Sequence, residues 1–386
     1  MNAHLVLPRQ TLVGGGAVRQ IASLLEGMHV QRPLVVSDPF MRDSGMIRAI
    51  TDPLEASGIE FGVFADTVSD PTDKVIEEGT RAFQSGGFDG MIGFGGGSPI
   101  DTAKAMGILA VNGGKMRDYK VPNPIPKEGP PLVAVPTTAG TGSEVTRFTV
   151  ITDVETEEKM LIAGPSLVPD AAIVDFELTM KLPKRLTADT GLDALVHAVE
   201  AYVSKKKNPV AASFATEAMS RIARNIRTAY REPDNREARE QMMLGATYAG
   251  IAFSTASVAL VHGMSRPIGA HFHVHHGLSN AMLFPEVTRF SIPEDVAGYA
   301  ACARAMGVAA TADGDDVAAR KLVDGLLQLN EALDVPTPKA YGIQEHKYRE
   351  LMPLMASQAL ASGSPNNNPR VPDQKEIEGI YDRVFG

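Results

Sequence analysis

Five short apolar runs in the first half of the chain, interleaved with stretches of helical spacing, constrain the fold more than any other feature. They occupy residues 33–37, 61–65, 90–94, 132–135 and 171–175, with helical patterns such as 75–85 and 100–111 between them. Strands without polar alternation need apolar cover on both faces. Intervening helices supply that cover, so the pattern predicts a parallel sheet. After about Met180 such runs cease. Helical patterns follow over 192–203, 210–230, 237–254, 296–306 and 316–333, with breaks at Asn208-Pro209, Glu232-Pro233, Ile292-Pro293 and Val335-Pro336, since proline discourages helix continuation. The expectation is an α/β N-terminal domain over residues 1–180 and an all-helical C-terminal domain over residues 181–386. A cleft between two such domains is a common place for a site.

The net charge is −9, from 46 acidic against 37 basic residues. A nucleic-acid partner would require a basic stripe instead. The single cysteine, Cys302, excludes a disulfide framework and any cysteine-rich zinc or iron–sulfur site. No signal-peptide pattern opens the chain, and no run approaches the roughly 20 apolar residues of a membrane span. The expectation is a cytoplasmic protein with neither nucleic-acid nor membrane partners.

Gly95-Gly96-Gly97-Ser98 follows the 90–94 run and precedes a helical pattern beginning near Pro99. A helix N-terminus presents free N–H groups and partial positive charge, and glycines let an anion approach the backbone. The layout suits a phosphate or pyrophosphate, although it is not the G-x-G-x-x-G spacing. Ser98 is expected to cap the helix and Pro99 to fit its first turn. Asp38 closes the 33–37 strand, where acids often accept from a ribose 2′-hydroxyl; an ordinary loop aspartate is the alternative. Thr137 to Ser143, rich in glycine and hydroxyls, either lines a nucleotide groove or forms a solvated turn.

Histidine carries the chemistry. Five of the nine fall in one short stretch, His262, His271, His273, His275 and His276, and a sixth is His197. Asp193 precedes His197 by four residues, which places both on one helical face within about 5–6 Å. The pair lies in an otherwise apolar stretch, where it either grips a cation or forms a structural hydrogen bond. His262 and His276 are separated by a segment punctuated by Gly263 and Gly269, read as long enough to turn and return. Three histidines and an aspartate suit Fe²⁺ or Zn²⁺, and an open position would let the metal act as a Lewis acid.

These pieces resemble the iron-containing (group III) alcohol dehydrogenases over nearly the whole chain. The resemblance rests on Gly95 to Asp101 with Lys104, Thr137 to Glu144, Thr190 to Tyr202, Val261 to Met264 and His276 to Ala281. It implies an N-terminal dinucleotide-binding domain and a helical metal domain, the dehydroquinate synthase-like fold. It also implies a metal, iron or else zinc, on Asp193, His197, His262 and His276. NAD(P) would place its pyrophosphate on Gly96, Gly97 and Ser98, with Thr138 and Thr141 toward the adenosine and Lys159 reaching the ribose. Asp38 matches a position that repels a 2′-phosphate and favours NAD. A homodimer is usual in the family.

The implied reaction is hydride transfer between a small alcohol or aldehyde and the nicotinamide. Protons would leave through hydroxyls or water, with His271 a candidate to assist. One departure concerns Arg266, which stands where many relatives carry a further cleft histidine. It does not titrate near neutrality. It either favours substrates with an anionic tail or pairs with an internal acid or the cofactor pyrophosphate. His275 stands where relatives often have proline. Two rival readings remain at this stage: a metal- and NAD-dependent lyase or cyclase of the dehydroquinate synthase type, and a non-catalytic nucleotide-binding redox sensor. The substrate is not legible; Phe148, Phe253 and the surroundings of Arg266 are expected to form its walls.

Overall fold

The computed structural model describes residues 3–156 and 158–386. The chain divides into two compact units, Leu5–Met180 and Lys181–Gly386. The first holds eight strands: β1 (Gln10–Val13), β2 (Pro33–Val36), β3 (Gly62–Phe64), β4 (Gly90–Gly95), β5 (Leu132–Pro136), β6 (Phe148–Asp153), β7 (Glu158–Ala163) and β8 (Ala171–Val174). Six form one sheet in the order β1-β8-β5-β4-β2-β3, with every pairing parallel.

The unbroken apolar character of the inner strands follows from this arrangement. Side chains alternate between the two faces of a strand. On β2, Val35 enters one core with Ile21, Leu25, Ile92 and Ile173. Leu34 and Val36 enter the opposite core with Ile76, Met91 and Ile108. Both faces are dry, so neither position along the strand admits a polar residue.

Two features depart from the sequence reading. β1 is a short and mostly exposed edge strand, and β6 and β7 form a separate antiparallel hairpin. Their patterns are half polar, so no apolar run announces them. The break before the helix Gly97–Asn112 is also different from expectation. Its N-cap is Gly96, and no side chain caps it; Ser98 lies inside the first turn.

In the second unit all the longer elements are helices. They include Lys184–Val203, Pro209–Arg231, Arg236–Ala256, Leu260–Phe272, His276–Ser291, Val296–Ala305, Asp315–Ala332, Glu345–Ala361 and Gln374–Phe385. The Asn208-Pro209 break is a helix start, with the Asn208 side chain accepting from Ala211 N at 2.9 Å and proline in the first turn. Asn235 caps its helix in the same way. The 263–269 segment does not turn back on itself. It is helical throughout, including Pro267, and the chain turns only at His273, where φ is +54°. Among the described residues no single helix is long and apolar enough to cross a membrane.

Candidate metal centre and nucleotide turn

The helix Lys184–Val203 is buried along nearly its whole length, because helices Pro209–Arg231, Arg236–Ala256 and His276–Ser291 pack around it. Asp193 and His197 lie at its centre, both buried. Their four-residue spacing puts His197 Nε2 3.9 Å from Asp193 Oδ1. Helices Leu260–Phe272 and His276–Ser291 bring two more imidazoles to the same oxygen. His262 Nε2 lies 3.5 Å from Asp193 Oδ1 and His276 Nε2 3.6 Å. The His197 ring stacks on His262 and on Phe253, with centroids 4.5 and 4.2 Å away.

These separations suit a cation. Tetrahedral bonds of about 2.0–2.2 Å place ligand atoms about 3.3–3.6 Å apart. The ligand atoms of Asp193, His262 and His276 lie within 4.8 Å of one another. Gly277 makes the third approach possible. A Cβ there would come 2.2 Å from the Asp189 carbonyl oxygen, so only glycine lets the His276 helix press against the Asp193 helix at this point. The site is lopsided. The Asp193 and His262 side chains are 5% and 4% exposed, while that of His276 is 43% exposed. Access is therefore from the His276 side.

Glu200, two turns beyond Asp193, sets the orientation of His262. Its Oε2 accepts from Ala259 N at 2.8 Å and its Oε1 from Val261 N at 2.6 Å. Oε2 also lies 2.7 Å from His262 Nδ1. A carboxylate only accepts, so Nδ1 is the donor and Nε2 is the atom turned toward Asp193. Burial alone would raise the Asp193 carboxyl, but the three histidines outweigh it and hold Asp193 well below the usual carboxylate range. Burial depresses His262, and Glu200 with Asp193 more than reverses this, leaving it raised. Asn280 completes the cluster. Its Nδ2 donates to Asp193 Oδ1 at 2.6 Å and lies 3.3 and 3.2 Å from Nε2 of His262 and His276.

In the first unit, the carboxyl ends of three adjacent strands converge. β2 continues to β3 on one side and β4 to β5 on the other, so the crevice between β2 and β4 is where the sheet reverses its winding. Asp38 and Gly95 flank that crevice. A Cβ on Gly95, whose φ is +146°, would lie 2.6 Å from Pro99 and 3.3 Å from Asp38 Oδ2. A Cβ on Gly97 would lie 2.9 Å from Thr141, and one on Gly96 would touch Thr138 at 3.7 Å. Asp38, Gly96, Gly97, Thr138 and Thr141 are thus gathered at one uncapped helix N-terminus.

Lys104 anchors that helix. Its buried Nζ donates to the carbonyls of Thr146 and Phe148 at 2.9 and 3.0 Å. Burial lowers its pKa to about 8, against the pull of Asp101 and Glu144. Asp101, raised by burial, accepts from Ser143 Oγ and Val150 N.

Three expected site residues have other partners. His271 lies nine residues beyond His262, about 13 Å further along the helix, and its Nε2 meets Gln358 Oε1 at 2.8 Å. It does not join the cluster around Asp193. Lys159 sits on β7 and its amine pairs with Asp70 at 2.8 Å. Arg266 shares a helical face with His262. Its guanidinium donates to Ser364 Oγ at 3.1 Å, and among the described residues no carboxylate lies within ion-pair distance. Burial lowers the Arg266 guanidinium and the charge of the buried Glu200 carboxylate pulls it the other way, so an internal acid does act on Arg266, from beyond ion-pair distance. His275 precedes the His276 helix and lies 4.0 Å from Asp189 Oδ2.

Comparison with known proteins decides the family. The profile of the iron-containing alcohol dehydrogenases matches residues 8–176, and that of the C-terminal part of the Fe-containing alcohol dehydrogenase family matches residues 187–385. The chain belongs to the iron-containing alcohol dehydrogenase family. It is 34% identical over 378 residues to an NAD-dependent methanol dehydrogenase of Bacillus methanolicus, covering 98% of each chain. It is 34% identical over 390 residues to an NADPH-dependent butanol dehydrogenase of Clostridium saccharobutylicum, covering 99% of this chain and 98% of that one. A solved 1,3-propanediol oxidoreductase superposes with a TM-score of 0.96 at 33% identity, with full coverage of both chains.

This member of the iron-containing alcohol dehydrogenases is accordingly an oxidoreductase acting on alcohols or aldehydes with a nicotinamide cofactor, and the lyase and redox-sensor readings give way. Two residues of the cluster around Asp193 escaped the sequence reading. Glu200 is a buried acid three residues after His197, and Asn280 follows His276 by four. Their spacing places each on the same helical face as a ligand, which is the signal that could have found them.

Proposed function

We propose that this enzyme interconverts a small alcohol and its aldehyde with NAD(H), using Fe²⁺, for which Zn²⁺ can substitute, held by Asp193, His197, His262 and His276. The observation that carries the reading is the approach of three Nε2 atoms to one buried carboxylate oxygen, at 3.9, 3.5 and 3.6 Å. Imidazole and carboxylate ligands suit either metal. A divalent cation there supplies Lewis acidity to an alcohol or carbonyl oxygen, and the nicotinamide supplies or takes the hydride.

The chain's own residues bind and orient. Glu200 keeps the lone pair of His262 turned inward, and the open His276 side admits the substrate oxygen. The uncapped N-terminus at Gly96, Gly97 and Ser98 takes the pyrophosphate, with Thr138 and Thr141 beside it. Asp38 accepts from a ribose 2′-hydroxyl and repels a 2′-phosphate, favouring NAD. Lys159 enters this reading through the family resemblance alone, since its amine is held by Asp70. The same proposal includes a cytoplasmic homodimer.

Metal content and NADH formation with a panel of short alcohols test the reading. His262→Ala is expected to lose most of both, because the remaining ligands fix the ion poorly. Full retention of metal and activity would refute it. The place of Arg266 one turn after His262 on the same helix favours a narrower substrate reading, in which the guanidinium meets an anionic tail such as a carboxylate or phosphonate.

A further inference from the structure

The chain bends by 106° between helices Arg236–Ala256 and Leu260–Phe272. The first residue of that junction, Ser257, has φ +64° and ψ +167°. This region of backbone space belongs almost entirely to glycine, and a serine stays in it only while its surroundings hold it there. Three groups do so. The Ser257 N–H donates to the Phe253 carbonyl at 2.7 Å. Buried Asn367 directs its side-chain amide at the junction, with Nδ2 donating to Ser257 Oγ at 3.2 Å and to the Val258 carbonyl at 2.9 Å. A carbonyl only accepts, so the group facing Val258 is the NH₂, and its two hydrogens serve these two bonds. Glu200 fixes the other end of the junction through Ala259 N and Val261 N. Asn367 also ties the junction to the Asp193 helix, since its own carbonyl accepts from Lys205 N at 2.8 Å, just past the end of that helix. Pro365, in the same turn, packs on Gly263 beside His262; a Cβ on Gly263 would come 2.8 Å from it.

We infer that Asn367 is a positioning residue, a clamp that locks Ser257 in a conformation the serine would otherwise leave and so fixes where the helix of His262 begins. His262 is the third residue of that helix, so any change in the direction of the junction displaces its imidazole. Phe253, four residues before Ser257, carries the ring that stacks on His197. The rings on both sides of the junction therefore depend on one strained turn. The consequence for His262 rests on the metal reading above; the clamp itself does not.

The test uses the full chain and two readouts. The first is denaturant unfolding. Glycine ordinarily destabilises relative to alanine, because it has more chain freedom to lose. At Ser257 the order is expected to reverse, with Ser257→Gly unfolding at a higher midpoint than Ser257→Ala. In an Asn367→Ala background the reversal is expected to vanish, since an unclamped chain leaves the strained region. The second readout is Zn²⁺ affinity, measured on metal-stripped protein against a chromophoric chelator. Asn367→Ala is expected to raise the Kd about tenfold, but by no more than about threefold in the Ser257→Gly background, where glycine takes up the turn without the clamp. A Ser257→Gly variant less stable than Ser257→Ala, a reversal that survives Asn367→Ala, or equal losses of Zn²⁺ affinity in the two backgrounds overturns the inference and leaves the metal reading standing. A wild type that takes up no Zn²⁺ overturns the metal reading and the consequence for His262, while the unfolding comparison still decides the clamp. Should Asn367→Ala not fold, the double variant Asn367→Ala, Ser257→Gly is expected to fold, and its failure overturns the inference.

Discussion

Replacing Glu200 with glutamine tests how the metal centre is oriented. The wild-type carboxylate accepts three bonds, from Ala259 N, Val261 N and His262 Nδ1, at 2.8, 2.6 and 2.7 Å. Glutamine keeps the shape but has only one accepting oxygen. If that oxygen stays on Ala259 and His262, the new NH₂ faces the Val261 N–H, donor against donor. If it turns to Val261, His262 Nδ1 must accept instead. The proton then moves to Nε2, and the nitrogen that faces Asp193 loses its lone pair. Hydrogen bonds to a charged acceptor contribute about 1.5–3 kcal/mol each, and a buried unsatisfied donor costs about 1–3 kcal/mol. The variant should therefore lose about 2–5 kcal/mol of folding stability, which denaturant unfolding of the metal-free protein measures. Its metal affinity should weaken about 10- to 100-fold, the usual cost of removing the partner of a ligating histidine. Chelator competition measures that directly. A Glu200→Gln variant that binds metal within twofold of the wild type would refute the argument that this carboxylate selects the His262 tautomer.

Three further outcomes are expected. Asp38→Gly should raise the kcat/KM ratio of NADP over NAD, and equal wild-type efficiency with both cofactors would count against the role of Asp38. If Arg266 meets an anionic tail, an acidic-tailed aldehyde should exceed its neutral analogue of equal length in kcat/KM, and Arg266→Leu should erase the difference; no wild-type preference refutes it. Lys104 titrates at about 8 in the folded protein and near 10.4 when unfolded. Between these values the unfolded chain holds a proton that the folded chain has released. The residue's contribution to stability therefore rises with pH across that window and falls as pH drops toward 8. The stability of wild type relative to Lys104→Met should increase from pH 8 to 10, as measured by denaturant unfolding; a flat difference would show that Lys104 keeps its proton in the fold.

The chain's local chemistry specified much of this protein unaided. Strands β2, β4, β5 and β8 are apolar at every position because both faces of the sheet are covered, and that is visible in a linear string. So is the four-residue step from Asp193 to His197, and so is a glycine run ending a buried strand. Each is a short-range pattern whose period is the period of the structure. Segments with mixed polarity were not legible. β1 and the β6–β7 hairpin carry half-polar sequences, and the 260–272 helix contains glycines and a proline that locally argue for a turn. Packing against the rest of the helical unit overrides those residues.

What only tertiary structure decided is which distant residues meet. Glu200 reaches His262 across 62 positions, and Asn280 reaches Asp193 across 87. The pairing of Lys159 with Asp70 spans 89 positions. It holds the amine that the family resemblance had directed to the ribose. Arg266 likewise has its surroundings set by distant residues, Ser364, 98 positions away, and the Glu200 carboxylate on another helix. Helical periodicity states which face a side chain occupies; what that face meets depends on how buried helices pack, a property of the whole fold and not of any window of sequence.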